Sequence, residues 1–362
     1  MKEQIQSLIR QVAEHQEFSG AVLVQHSDNA GTGGSSEVFC GAYGEANRTW
    51  KVKNRPTTRF RIASVGKMFT AVAILQLIEA GKLSLETRVL DALELTGTRL
   101  PAELTVFHLL SMTSGIADWI DEDADDYDEE WAQFCRQHPL YLFHSDADYL
   151  PIFTPLAPYF PLGERFRYNG AGFMLLGLLI EKISGQSYFE YVRRQVFARA
   201  GMSETDFSEL DEVLPNVAEG YVPVLDANEK VTGWKKNYYR ATIGPAADGG
   251  ATSTLADLLR FSQALRQGEL IGPKLVHAMT SAQTVQDEKD EQGCQWGYGF
   301  GCFVMLDEKK QVLRWGHTGE EDGVSCRLWH YPQQEITVVI LGNQSLCAGK
   351  ISSEIHRLVM DS

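Results

Sequence analysis

The chain has 362 residues, 44% hydrophobic and 22% charged, with a formal net charge of −15. That length suits one large domain or two interleaved ones, and that hydrophobic content suits a packed core rather than a disordered chain. The acidic balance excludes a nucleic-acid partner, because phosphate binding calls for a basic face.

Residues 2–16 read as an amphipathic helix without the long apolar stretch of a secretory signal. No apolar run reaches the roughly 18 residues a membrane span needs. The expectation is a soluble, cytoplasmic protein with no membrane partner. Gly20 to Gln25 reads as a strand and Glu37 to Tyr43 as its hairpin partner. The Gly/Ser-rich stretch from Asn29 to Ser36 joins them as a surface loop. It is no phosphate cradle, since no Gly-Lys-Ser/Thr follows and no helix opens after it.

Residues 57–62 lead into Arg61-Ile62-Ala63-Ser64-Val65-Gly66-Lys67-Met68-Phe69, and residues 65–80 run almost wholly apolar. This predicts a buried helix that Gly81 ends in the left-handed conformation. Residues three apart share a helix face, so Ser64 and Lys67 can touch. An N-cap role would explain Ser64 but not Lys67. A cation in the first turn meets the wrong end of the helix dipole, and Val65, Met68 and Phe69 desolvate it. Both effects favour a neutral amine, and an amine beside a serine hydroxyl can make a nucleophile.

Leu104 to Leu110 reads as a second buried helical turn, ended by Ser111 to Gly115. Asp118 to Glu130 is acidic, with Asp121, Asp123 and Asp125 in alternation. A calcium loop would need glycine and glutamate where Asp126 and Ala132 stand, so a solvated loop is expected. Residues 131–160 are rich in aromatics that suit a pocket wall or a core equally. Leu162 to Gly170 turns into a helix over 171–184 closed by Gly185, and 188–200 continues helical. Residues 205–240 are mixed. Thr254 is expected to cap a helix near 255–267, with Asp257 at its third position.

Phe300 to Leu306, Val312 to Gly316, Val324 to His330 and Glu335 to Leu341 read as short strands, and 346–360 as a final helix. Six cysteines without CxxC spacing read as buried reduced thiols, and no zinc or other metal site is expected. Strands at both ends and helices between predict an α/β fold of the α+β type. Its antiparallel sheet is built from both chain ends and flanked by helices, and an all-helical lobe is inserted. The division expected is residues 1–62 with 240–362 as a sandwich and 63–239 as the helical lobe, with the active site between them.

Two further places matter. Tyr168 precedes a helix in a glycine-rich turn, and Trp315-Gly316-His317-Thr318-Gly319 leaves a predicted strand. Taken singly, these read as a core-edge aromatic and a strand exit. Behind a Ser-x-x-Lys they take on another meaning. In order and spacing, Ser64-Val65-Gly66-Lys67, Tyr168-Asn169-Gly170 and His317-Thr318-Gly319 resemble the three motifs of the serine β-lactamase and penicillin-binding protein superfamily. The branch resembled is the class C β-lactamase-like one, with its D-aminopeptidases, D,D-peptidases and family VIII esterases. Leu109 to Gly115 and Gly249 to Thr254 with Asp257-Leu258 also look familiar.

The resemblance implies Ser64 as nucleophile and Lys67 with Tyr168 as the acid–base pair, either of which could take the serine proton. A tyrosine beside an ammonium loses its proton more easily. It implies an oxyanion hole from the N–H groups of Ser64 and Glu320, with Asn169, His317, Thr318 and Gly319 along the substrate, and no cofactor. Two positions depart from the pattern. Gly170 stands where the second motif has asparagine, which in the family contacts the substrate amide and the lysine, and Asn169 is one place early. His317 replaces a lysine and would hold a substrate carboxylate less firmly. The expectation is a serine hydrolase working through an acyl-enzyme on small esters or amides, with esters ahead of β-lactams. The alternative is a sensor that is acylated without turnover.

Overall fold

A computed structural model describes residues 1–26, 36–122, 124, 126–290 and 293–361. The loop predicted from Asn29 lies outside them up to Ser36, as do Asp123 and Asp125. An eight-stranded antiparallel sheet carries the structure. Its strands are β1 (Gly20–His26), β2 (Ser36–Tyr43), β3 (Thr284–Lys289), β4 (Gln295–Tyr298), β5 (Phe303–Leu306), β6 (Val312–Glu321), β7 (Val324–Tyr331) and β8 (Ile336–Gly342), in the spatial order β3-β4-β5-β6-β7-β8-β1-β2. The two chain ends meet where β1 pairs with β8, from Gly20 opposite Gly342 to His26 opposite Ile336.

Every residue of β8 is buried, as a strand covered on both faces requires. The period of two sends alternate side chains to two separate cores. Val22, Val24, Trp329, Val338 and Ile340 face α1 (Lys2–Glu14) and the C-terminal helix α5 (Ala348–Met360). Ala21, Leu23, Cys326, Leu328, Val339 and Leu341 face the helical remainder. That remainder is centred on α2 (Lys67–Glu79), α3 (Gly170–Ser184) and α4 (Leu255–Arg266).

α2 is apolar all round, and eleven of its thirteen residues are buried. Gly81 follows it at φ +67°, as expected of a left-handed stop. Thr254 caps α4, its side chain accepting from Asp257 N at 3.2 Å.

Several expectations are corrected. Ser64 is not a helix cap: it lies in a 3₁₀ turn, Ala63–Gly66, and α2 opens at Lys67 with no side-chain cap bond. The acidic stretch is not a solvated loop throughout, since Asp118, Trp119 and Ile120 are buried and Tyr127–Gln137 is a helix. Strands β3 and β4 went unread, because polar residues dominate Thr284–Lys289. The third-motif residues do not leave a strand: β6 runs on to Glu321, so His317, Thr318 and Gly319 lie inside it. The six cysteines are free, but only Cys302, Cys326 and Cys347 are fully buried. No helix among the described residues is long and apolar enough to cross a membrane.

Ile355 lies between α5 and the sheet with no exposed surface. Replacing it with alanine removes buried methyl groups and leaves a cavity, at an expected cost of ~2–5 kcal/mol. Urea unfolding measures this, and an unchanged midpoint would contradict the packing of α5 on the sheet.

Candidate active site

The chain enters the site with strain. Ala63 sits at φ +44°, a left-handed conformation that costs a residue with a Cβ roughly 1–2 kcal/mol. Two glycines press on this turn. A Cβ on Gly319 would lie 2.1 Å from Ile62 O, and one on Gly249 would lie 3.0 Å from Ala63 C. No side chain fits at Gly319, so β6 packs its bare backbone onto the turn that carries Ser64.

Lys67 is the first residue of α2 and is fully buried. Its Nζ donates to Ser64 Oγ at 3.1 Å and to Asp248 O at 2.8 Å. A carboxylate oxygen of Asp248 lies 3.8 Å away. The amine therefore does not sit in the purely apolar sleeve expected from Val65, Met68 and Phe69. The Asp248 loop is fixed one residue earlier: Thr70 Oγ1 donates to Ala247 O at 2.5 Å, and Ala247 N donates to buried Asp146 at 2.9 Å.

Tyr168 closes the third side. Its ring centroid is 5.0 Å from Lys67 Nζ and it stacks on Phe303 at 6.0 Å. Burial, followed by the charge of Glu122, pushes its phenol well above the ordinary range, while a contact with Ser64 pulls the other way. The expectation of an easily ionised tyrosine is therefore corrected. Desolvation outweighs its neighbours, and Tyr168 stands as a neutral phenol able to donate.

Two other expected site residues are elsewhere. Asn169 caps α3, its Oδ1 accepting from Gly172 N at 2.7 Å and its Nδ2 donating to Ile116 O at 3.1 Å. Both ends of its amide are occupied, and the residue is buried. His317 is fully buried behind the strand, its Nε2 3.1 Å from Tyr298 Oη and its ring beside Phe303 and Tyr168. Burial drives its pKa from the ordinary 6.5 down to about 3, and the charges of Lys67 and Arg327 add to this. A neutral, enclosed imidazole does not meet a substrate carboxylate; it fills the space beneath Tyr168. Thr318 remains half-buried on the strand.

Glu320 N–H is placed by the sheet. Glu321 pairs with Val324 across the two-residue loop Asp322-Gly323, and Glu320 pairs with Ser325. Hydrogen-bonded and open pairs alternate in an antiparallel ladder. A two-residue hairpin closes on a hydrogen-bonded pair, so Glu320 N–H points away from β7.

A cavity of about 520 Å³ opens over Ser64 and Glu320, with Lys67 and Tyr168 behind its lining. Ser64, Asp248, Gly249 and Gly250 form its floor, Glu320, Glu321 and Asp322 one wall, and Trp119, Tyr127, Trp131 and Tyr149 the other. The aromatic run thus divides: Trp131 and Tyr149 line the cavity, while Phe153 is core. Trp119 is the hinge of the aromatic wall, 6.1 Å from Trp131 and 5.3 Å from Tyr149 between ring centroids. Beneath it, buried Asp118 accepts from Gly170 N at 2.6 Å and Ala171 N at 2.8 Å, at the start of α3. Burial raises Asp118 to about 7 despite those donors.

Asp118, Trp119, Tyr127 and Asp248 were missed in the sequence, whereas Trp131 and Tyr149 belong to the run read as pocket wall or core. Asp248 carried one usable signal, its place directly before Gly249-Gly250. Asp118 was absorbed into an acidic run.

Two predictions follow from this geometry. Gly319→Ala must push β6 off the Ser64 turn, and a misplacement of about 1 Å costs ~10²-fold in rate. An unchanged rate of Ser64 acylation would contradict this packing. The second concerns acid stability. The folded state refuses a proton at His317 until about pH 3, whereas the unfolded state binds one below 6.5. This contribution is present above pH 6.5 and is lost as pH falls towards 3, by at most ~1.4 kcal/mol per pH unit. Urea midpoints at pH 7 and pH 4.5 should differ less in His317→Gln than in the native chain.

A family model described as Beta-lactamase matches residues 5–348. Penicillin-binding protein 4* of Bacillus subtilis is 28% identical over 353 residues, covering 95% of this chain and 72% of that protein. A D-aminopeptidase of Brucella ovis is 26% identical over 304 residues, covering 83% of this chain but 53% of that protein, so the chain spans about half its length. The crystal structure of a penicillin-binding protein from Bacillus halodurans superposes with a TM-score of 0.83 at 32% identity, over 97% of this chain and 98% of that one. The chain belongs to the Beta-lactamase family and is a serine hydrolase of that family.

Proposed function

We propose that the protein hydrolyses small esters or amides through an acyl-enzyme on Ser64, with Lys67 as base and Tyr168 as proton donor. The observation that carries this reading is the 3.1 Å hydrogen bond between Lys67 Nζ and Ser64 Oγ at the floor of a cavity of about 520 Å³. A general base must lie within hydrogen-bond reach of the proton it takes, and Lys67 does. The neutral Tyr168 phenol suits the opposite task.

In the first half-reaction Ser64 Oγ bonds to the carbonyl carbon while its proton passes to the Lys67 amine. The carbonyl oxygen becomes an oxyanion held by the N–H groups of Ser64 and Glu320. Each such donor is worth about 3 kcal/mol in the transition state. Collapse expels the leaving group, which takes a proton from Lys67 through the Tyr168 hydroxyl. Water then attacks the acyl carbon, giving its proton back along the same route, and Ser64 is released.

The cavity supports this reading. Its wall comes from three stretches, Trp119 to Tyr149, Arg240 to Gly250 and Glu320 to Leu346. That arrangement supports the proposed division into a sandwich of residues 1–62 and 240–362 and a lobe of 63–239, although the lobe is not all-helical as expected, since Tyr221–Leu225 and Val231–Lys236 pair as a hairpin within it. The aromatic wall favours an acyl or leaving group with an apolar face. Six free cysteines fit a reducing compartment, which supports a cytoplasmic reading. The homologues named as penicillin-binding proteins keep amides and β-lactams among the candidate substrates beside esters.

A fluorophosphonate should label Ser64, read by mass spectrometry, and a chromogenic ester and a chromogenic cephalosporin should be compared for turnover. Ser64→Ala should abolish labelling and ester turnover. Lys67→Ala and Tyr168→Phe should each lower acylation by ~10²–10⁴-fold. Ester turnover that survives Ser64→Ala would sink the assignment. Labelling by a penicillin without turnover of either substrate would favour a sensor.

A further inference from the structure

Gly170 stands where the second motif has asparagine, and the structure shows what fills the vacated ground. A Cβ on Gly170 would lie 2.8 Å from Asp248 Oδ2 and 2.9 Å from Trp119 Nε1. These two side chains close over the bare backbone, so an asparagine at 170 would displace them. The loss of one side chain and the arrival of another are a single exchange.

Asp248 differs from the other carboxylates around the cavity. Glu320 accepts from Ser325 Oγ at 2.9 Å and pairs with Arg327. Glu321 accepts from Thr242 N and Oγ1 at 2.6 and 2.7 Å. Asp322 accepts from Arg240 Nε at 2.5 Å. Lys67 donates its hydrogen bond to the backbone oxygen of Asp248 and meets its carboxylate as an ion pair at 3.8 Å, without a hydrogen bond to it. Among the described residues no donor bonds either carboxylate oxygen of Asp248, and its side chain is 16% exposed on the cavity floor. A carboxylate accepts hydrogen bonds and cannot donate. An amide in that place could meet a substrate carbonyl, but this group repels one and attracts a cation. Lys67 Nζ lies 3.1 Å from Ser64 Oγ and 3.8 Å from the Asp248 carboxylate, and both residues line the cavity, so the carboxylate is within reach of a substituent next to a carbonyl held at Ser64.

We propose that Asp248 is the specificity-determining residue of this site and selects acyl groups that carry a free ammonium beside the scissile carbonyl over their N-acylated counterparts. This rests on Ser64 being the nucleophile. The geometry gives the order of contact: the ammonium meets Asp248, the acyl carbon meets Ser64 Oγ, and the rest of the acyl group meets the Trp119 wall.

The test uses 1-aminoethylboronic acid and its N-acetyl form, which add reversibly to a serine hydroxyl, as protectants of Ser64 against fluorophosphonate labelling of the full chain. The free amine should protect at a concentration ~10-fold lower or more, the scale of a charge-assisted hydrogen bond. Asp248→Asn should reduce that ratio towards one, and Gly170→Ala, which moves the carboxylate, should lower it as well. Glu122→Gln, on the same cavity, should leave the ratio standing. Equal protection by the two boronates, better protection by the N-acetyl form, or protection by neither overturns the proposal, even where Asp248→Asn fails to fold. A preference removed by Glu122→Gln but kept in Asp248→Asn also overturns it. Absence of any Ser64 labelling overturns the acyl-enzyme reading itself, and this proposal with it.

Discussion

One amine organises the site. Lys67 Nζ is fully buried and lies between Ser64 Oγ and the Asp248 loop. A buried lysine without polar partners is costly, so its surroundings have to be built to receive it. The structure does this with backbone. The Asp248 carbonyl supplies an acceptor, and Ala247 is tied by Thr70 from α2 and by Asp146. Two glycines, 249 and 319, let that loop and strand β6 close onto the turn that holds Ser64. The segment that carries Ser64 and Lys67, the Asp248 loop and strand β6 are thus held together by close backbone packing.

Burial sets the roles of the ionisable groups more than charge pairing does. Desolvation is the leading cause at Tyr168, at Asp118 and at His317. It keeps the phenol protonated, draws the carboxyl towards neutrality and keeps the imidazole uncharged. The aromatic and imidazole groups packed near Lys67 are thus neutral, and the Asp248 carboxylate at 3.8 Å is the charge beside it. The aromatic contacts of Phe303 with both Tyr168 and His317 extend that dry environment beneath the tyrosine.

What could be read in the sequence was what depends on short-range order. The apolar run of α2, the cap at Thr254, the left-handed stop at Gly81 and the strands around β8 all follow from local pattern. The Ser64–Lys67 contact was legible because three residues span one turn, whether 3₁₀ or α. The errors share a cause, since each needed knowledge of what packs opposite. Asn169 looked like a substrate ligand because its neighbour is Tyr168, but Gly172 N and Ile116 O claim its amide. His317 looked like a substrate ligand at a strand exit, but β6 continues past it and the ring is fully buried. Asp118 looked solvated among acids, but it holds the first N–H groups of α3, where an acidic group is electrostatically favoured.

The departure at Gly170 shows why a motif read residue by residue can mislead. In sequence it is a missing side chain, and the natural inference is a weakened site. In space the position is full, because a carboxylate from a loop 78 residues further along and an indole from 51 residues earlier lie against it, as the numbers of Asp248 and Trp119 show. A side chain there would displace the Asp248 carboxylate from its present place, so residue 170 and residue 248 constrain each other. Trp119 Nε1 finds no partner among the described residues, which ordinarily costs ~1–3 kcal/mol. That unpaired indole N–H lies against the same bare backbone at Gly170 as the Asp248 carboxylate, so the two side chains share one face of the cavity.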